Sequence, residues 1–168
     1  MATATGISID DYLRTSYEGV DREYRDGEVI ERSMPNIEHS IAKRNLVGIL
    51  YMRRRETKLH VHVELRLRLS AVRVLIPDVC IFKAPPPTEL VPTTPPYVVA
   101  EILSPADNMT DVLEKLEEYA GWGVTHNWLI DPRTHKLFTY TAHQLHEVSE
   151  FTLDEPALTV SAADLFSE

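Results

Sequence analysis

Two acidic residues stand alone in otherwise apolar stretches of the chain. Ile76-Pro77-Asp78-Val79-Cys80-Ile81-Phe82 contains Asp78, and the stretch from Tyr97 to Leu103 contains Glu101. A charged carboxylate in such a stretch is costly unless it is paired. If the two stretches form neighbouring strands, their carboxylates lie side by side and raise each other's pKa. A divalent cation removes that repulsion, and Mg²⁺ or Mn²⁺ prefers oxygen ligands. The pair therefore indicates a metal site.

A third group with suitable chemistry follows fourteen positions after Glu101. Asp111, Lys115 and Tyr119 are spaced i, i+4 and i+8, which places them on one face of a helix. If that helix packs on the sheet, the Lys115 ammonium can point at the carboxylates. There it could orient an attacking water and offset charge on a phosphorane-like transition state. A buried ion-pair network that only fixes strand order is the alternative interpretation.

The elements that would position these residues follow from periodicity and from turn signals. Helices are predicted at residues 8–14, 36–55 and 110–122, and strands at 60–70, 72–82, 97–103 and 126–130. Hairpins are predicted around Asp26-Gly27 and between the segments 136–141 and 145–151. Six prolines among residues 84–96 indicate a loop. This order predicts an α/β (α+β) fold, with helices flanking a mixed central β-sheet.

Composition bounds the class of protein. The 168 residues are 43% hydrophobic and 26% charged, which suits one globular domain spanning residues 1–168. No apolar run approaches the length of a membrane span, the N-terminus lacks signal-peptide features, and Cys80 is the only cysteine. We therefore expect a cytoplasmic protein with no disulfide and no membrane association.

Charge limits how nucleic acid could be bound. The formal net charge of −9 argues against a broad basic surface, because phosphate binding depends on Lys and Arg. A local basic site is still compatible with this charge. The cluster Arg53-Arg54-Arg55 is either such a site or a solvated helix end.

Other residues are accessory candidates for the site. Glu64 is a further acid near the metal or, from its alternation with His60 and His62, a solvent-exposed side chain. His39 either contacts a substrate phosphate or is a surface histidine. Glu23 approaches the site from the N-terminal hairpin. His60 and His62 lack the further ligands of a structural zinc site.

Taken in order, the motifs resemble those of a known family. They are Glu23 to Glu28, His39, Pro77-Asp78, Glu101 to Pro105, Asp111 to Lys115, Tyr119, Gly123, Trp128 and Asp131-Pro132. The set is similar to the Uma-two endonuclease family, a bacterial branch of the PD-(D/E)XK restriction-endonuclease-like superfamily. The likeness covers most of the chain.

The resemblance implies a restriction-endonuclease-like core and an Mg²⁺-dependent (or Mn²⁺-dependent) endonuclease that hydrolyses phosphodiester bonds in DNA. It implies Asp78 and Glu101 as metal ligands, with the backbone carbonyl of Ile102 completing the shell. The superfamily motif has a lysine two residues after the second acid, where this chain has Leu103. The resemblance transfers that role to Lys115.

The resemblance leaves the oligomeric state and the catalytic activity open. A homodimer would supply the two sites needed to cut both strands of a duplex. The alternative function is a catalytically inactive module that keeps the nuclease fold and binds nucleic acid or protein. The net charge and Leu103 favour that alternative.

Overall fold

The computed structural model describes residues 6–167. The helices are α1 (Ile9–Arg14), α2 (Ile37–Met52), α3 (Arg54–Thr57), α4 (Met109–Trp122) and α5 (Ala162–Leu165). The strands are β1 (Arg22–Arg25), β2 (Glu28–Glu31), β3 (His60–Val63), β4 (Leu67–Ser70), β5 (Arg73–Leu75), β6 (Val79–Phe82), β7 (Val98–Ile102), β8 (His126–Asp131), β9 (Lys136–Thr141), β10 (Gln144–Val148), β11 (Glu150–Asp154) and β12 (Ala157–Ser161). No helix in this part of the chain is both long and apolar enough to cross a membrane.

The central sheet has six strands in the order β10-β9-β8-β7-β6-β3. Strand β7 is parallel to β8, whereas the other neighbours in this sheet are antiparallel. Helix α4 forms the crossover that a parallel pair requires. Strands β6 and β7 are buried along their whole length, as expected for strands covered on both faces. The predicted mixed sheet with flanking helices is therefore confirmed.

Helices cover both faces of this sheet. On one face, α2 contributes Ala42, Leu46 and Leu50, one turn apart, to a core that includes Trp128 and Phe151. On the other face, α4 packs Leu116 and its neighbours against β8. Asn36 caps α2 by accepting the N–H of His39, and Asn108 caps α4 by accepting the N–H of Thr110.

Two predicted long strands are each broken in the structure. Residues 60–70 split into β3 of the central sheet and β4 of a second sheet with the order β2-β1-β5-β4. The break lies at Glu64, where a φ of 51° cannot continue a pleated strand. Residues 72–82 split into β5 and β6 around Pro77, which has no N–H for a ladder. Asp78 therefore immediately precedes β6 rather than lying inside a strand.

The C-terminal prediction needs a similar correction. The predicted strand 145–151 ends as β10 at Val148, and Phe151 belongs to β11, which pairs with β12 in a separate hairpin. Packing explains the difference, because the Phe151 ring stacks on Trp128 with 4.3 Å between centroids. The chain leaves the β9–β10 hairpin to cover the core. The single helix predicted at residues 36–55 is also interrupted in the structure, since α2 ends at Met52 and α3 follows.

Candidate active site

Strand pairing brings the two isolated acids together. Strands β6 and β7 are antiparallel with Val79 opposite Ala100, and continuing that register by one residue sets Asp78 opposite Glu101. Asp78 is only 2% exposed and Glu101 7%.

Both acids line a cavity of about 280 Å³ at this end of the sheet. Its wall also contains every other candidate from the sequence except one: Glu23, His39, Glu64, Ile102, Asp111 and Lys115. The exception is Tyr119, which lies beneath the wall and is completely buried. The cavity thus collects residues from both sheets, α2 and α4.

Asp78 is held as a carboxylate by its neighbours. Its Oδ2 accepts the backbone N–H of Ile102 at 2.8 Å. Its Oδ1 lies 2.8 Å from Arg32 Nη2, 3.2 Å from Lys43 Nζ and 3.3 Å from His39 Nε2, although the last contact is not aligned as a hydrogen bond. Burial raises the pKa of Asp78, but His39, Arg32 and Lys43 outweigh it and hold that pKa well below its usual range.

Glu101 has the opposite electrostatic character. Its Oε1 accepts a hydrogen bond of 3.0 Å from the Tyr119 hydroxyl. Burial raises the pKa of Glu101 to about 7; Lys115 opposes this increase and the Asp78 charge adds to it. The two acids are therefore electrostatically different, and a cation near Glu101 would favour its charged form.

Lys115 is anchored by Glu23. Its Nζ lies 2.9 Å from Glu23 Oε1, and the same oxygen accepts the backbone N–H of Ile76 at 3.1 Å. Within residues 6–167, no ion pair shorter than 4.0 Å joins Lys115 directly to Glu101. Burial lowers the pKa of Lys115, but Glu101 and Glu23 outweigh burial and raise it overall. At neutral pH Lys115 is an ammonium, which can orient water or stabilise an anion but cannot accept a proton.

The remaining candidates occupy distinct places around the cavity. His39 is buried, with Nδ1 3.1 Å from the Ser104 hydroxyl, so the surface-histidine interpretation is wrong. Glu64 is half-exposed at the rim and pairs with Lys43 at 2.8 Å. Asp111 is exposed on α4.

Sequence reasoning missed two site residues, Arg32 and Lys43. Lys43 follows His39 by one turn of α2, so their i, i+4 spacing was an available signal. Arg32 follows β2 and reaches Asp78 across 46 positions of sequence, and no local pattern marks such a contact. The Arg53-Arg54-Arg55 cluster does not line the cavity; Arg53 pairs with Glu56 instead.

Leu103 occupies the motif position that a lysine takes in the superfamily. Its side chain packs against the cluster of Val112, Leu116, Leu129 and Tyr140, between the sheet and α4. Lys115, the lysine expected to take over this role, lies on α4 and not on β7.

A hard cation such as Mg²⁺ requires oxygen ligands. No group of three or more His, Cys, Asp or Glu side chains in residues 6–167 has the arrangement of a metal cluster. Mg²⁺, however, is usually held by one or two carboxylates together with waters and substrate phosphates. Asp78 and Glu101, with the Ile102 carbonyl between strand and loop, fit that simpler requirement.

Comparison with known proteins identifies the family. The family model of Uma2, described as "Putative restriction endonuclease", matches residues 9–165. The chain belongs to the Uma2 family. This membership supports a nuclease, a hydrolase that acts on nucleic acid.

A solved structure shows the same fold as this Uma2 protein. It is the crystal structure of a putative nuclease belonging to DUF820 from Anabaena variabilis. The two chains superpose with a TM-score of 0.80 at 24% sequence identity, covering 95% of this chain and 97% of the other. No curated protein matches the sequence.

Proposed function

We propose that this Uma2 protein is an Mg²⁺-dependent or Mn²⁺-dependent nuclease that hydrolyses phosphodiester bonds in DNA. The observation that carries the proposal is that Asp78, Glu101 and Lys115 line the same cavity. Two acids can hold a metal ion that assists phosphodiester hydrolysis, and a nearby ammonium can orient water and stabilise negative charge.

In this proposal Asp78 and Glu101 hold the metal, with the Ile102 carbonyl as a further oxygen ligand. The metal, when bound, supplies Lewis-acid activation of the phosphodiester and neutralises developing charge. Lys115 stays protonated, orients the attacking water and stabilises negative charge on the phosphoryl oxygens. Glu23 and Tyr119 are positioning residues, because they hold the Lys115 ammonium and the Glu101 carboxylate respectively.

The test is cleavage of supercoiled plasmid and of labelled linear DNA with Mg²⁺, with Mn²⁺ or with EDTA. We expect cleavage only with metal, and its loss in Glu101→Gln, which has the same shape but no charge. Glu147→Gln on the exposed β10 is the matched control and should cleave like wild type. Cleavage by purified Glu101→Gln at the wild-type rate would refute the proposed site.

A second candidate function is a binding module without catalytic activity. It is favoured by the contacts of Asp78 Oδ1, which lies near Arg32, Lys43 and His39. A thermal-shift titration separates the two functions, because a ligand that binds only the native state raises the melting temperature. Mg²⁺ or Mn²⁺ should raise that of wild type but not of Asp78→Ala; no shift with either metal favours the binding module.

A further inference from the structure

Arg32 and Lys43 are two cations whose charge the proposed hydrolysis does not use. Their side chains are 14% and 17% exposed, and both line the cavity. Both direct a nitrogen at one oxygen atom, Asp78 Oδ1. Part of their positive charge is therefore balanced by the same carboxylate that is proposed to bind the metal.

A divalent cation on Asp78 changes this balance. It neutralises the carboxylate and repels the two side chains, because like charges in a poorly solvated site interact strongly. Arg32 and Lys43 then each lose one acidic partner inside a cavity that largely keeps them from bulk water. An incoming anion can restore the pairing.

Each side chain has a second acidic partner that limits how far it moves. Arg32 Nη1 lies 3.8 Å from Asp21, and Lys43 Nζ lies 2.8 Å from Glu64 at the rim. These carboxylates hold both cations at the cavity wall when the contact with Asp78 is released. The planar guanidinium fork of Arg32 matches the geometry of phosphate oxygens, and Lys43 supplies a point charge.

We propose that Arg32 and Lys43 form a phosphate-binding subsite for the backbone of a nucleic acid, masked by Asp78 until a divalent cation takes over that carboxylate. The inference rests on the proposed function, because it requires Asp78 to bind the metal. Metal and phosphodiester then bind cooperatively, and by linkage each strengthens the other by the same factor.

The test measures binding, not cleavage. The probe is a short fluorescein-labelled single-stranded DNA with phosphorothioate linkages, which resist hydrolysis, and its affinity is followed by fluorescence anisotropy in EDTA or in Mg²⁺. We expect Mg²⁺ to tighten binding to wild type roughly tenfold, within the usual range of coupling between sites. Mg²⁺ ordinarily weakens non-specific phosphate binding by competing as a counter-ion, so tightening is the informative direction.

Asp78→Asn is the decisive variant. The amide oxygen of asparagine can still accept the Ile102 N–H, but the negative charge that masks the two cations is gone. This variant should bind the probe in EDTA about as tightly as wild type does in Mg²⁺, and added Mg²⁺ should not tighten it further. The same probe with uncharged methylphosphonate linkages should show neither effect.

Variants of the two cations complete the design. Lys43→Gln should lose most of the Mg²⁺-induced tightening, and Arg32→Lys should lose part of it because the guanidinium fork is absent. Arg133→Gln, which removes an equal charge from an exposed turn after β8, is the matched control and should respond like wild type. Should the Arg32 variant fail to fold, Lys43→Gln and Asp78→Asn decide the outcome.

Calorimetric titration of Mg²⁺ with and without the probe checks the reciprocal effect. The subsite is refuted if Mg²⁺ does not tighten probe binding to wild type, or if Asp78→Asn in EDTA binds no better than wild type. If either result is found and plasmid is still cleaved, the nuclease proposal stands and only the phosphate-binding subsite is refuted. Cooperative binding without any cleavage supports the subsite and removes the catalytic proposal.

Discussion

Replacing Glu101 by glutamine should stabilise the metal-free protein at alkaline pH. Burial raises the pKa of Glu101 from 4.5 to about 7, so the native state binds this proton more tightly than the unfolded chain does. A difference of about 2.5 pKa units corresponds to about 3 kcal/mol. Glutamine imitates the protonated acid at every pH and can still accept the Tyr119 hydroxyl hydrogen.

The direction of this pH dependence follows from the linkage between protonation and folding. The stability contributed by the protonated Glu101 is fully present below its unfolded pKa of 4.5 and is lost as pH rises through about 7. Asp78 does not add to the change of stability with pH in this range, because its lowered pKa keeps it ionised between pH 5 and pH 8. The pKa values of His62 and His126 are lowered by burial, but both variants share those residues and their effect cancels in the difference.

The assay is urea unfolding followed by tryptophan fluorescence, at pH 5 and pH 8 in EDTA, for wild type, Glu101→Gln and the exposed control Glu147→Gln. The stability of Glu101→Gln relative to wild type should increase by about 2–3 kcal/mol between the two pH values. In this size range that corresponds to a rise in melting temperature on the order of 10 °C. If Glu101→Gln is instead less stable than wild type at pH 8, the charged Glu101 is a structural ion-pair member and the reasoning is refuted.

Three further predictions concern the site and the core. Mg²⁺ affinity measured by calorimetry should be weaker at pH 6 than at pH 8. The reason is that metal binding must displace the proton that Glu101 holds below a pH of about 7. Equal affinities at the two pH values would contradict this prediction. Burial raises the pKa of the Cys80 thiol to about 12, so it should react with Ellman's reagent only after unfolding in urea, and rapid labelling of the native protein would contradict the buried position. Leu46→Ala removes a completely buried side chain between α2 and the sheet and should cost about 2–5 kcal/mol in urea unfolding, whereas Leu90→Ala in the exposed proline-rich loop should cost almost nothing.

Local sequence patterns were sufficient to predict much of the architecture. The boundaries of α4 and β7 agree with prediction to within a residue, because caps and apolar periodicity are properties of neighbouring residues. Alternation alone could not show that residues 60–70 change sheets. The apolar and polar positions keep their period through Glu64, while the backbone turns there through a left-handed conformation.

What the sequence determined by itself is the chemical inventory of the site: two acids isolated in apolar stretches, and a lysine on one face of the helix that follows the second of them. Only the tertiary structure decided their partners. Glu23 meets Lys115 across 92 positions and Arg32 meets Asp78 across 46, through contacts between separate sheets and helices. Such pairs depend on the path of the whole chain, since neither residue carries a local pattern that specifies the other. The opposing pKa shifts of Asp78 and Glu101 arise in the same way, from burial and charges that exist only once the chain has folded.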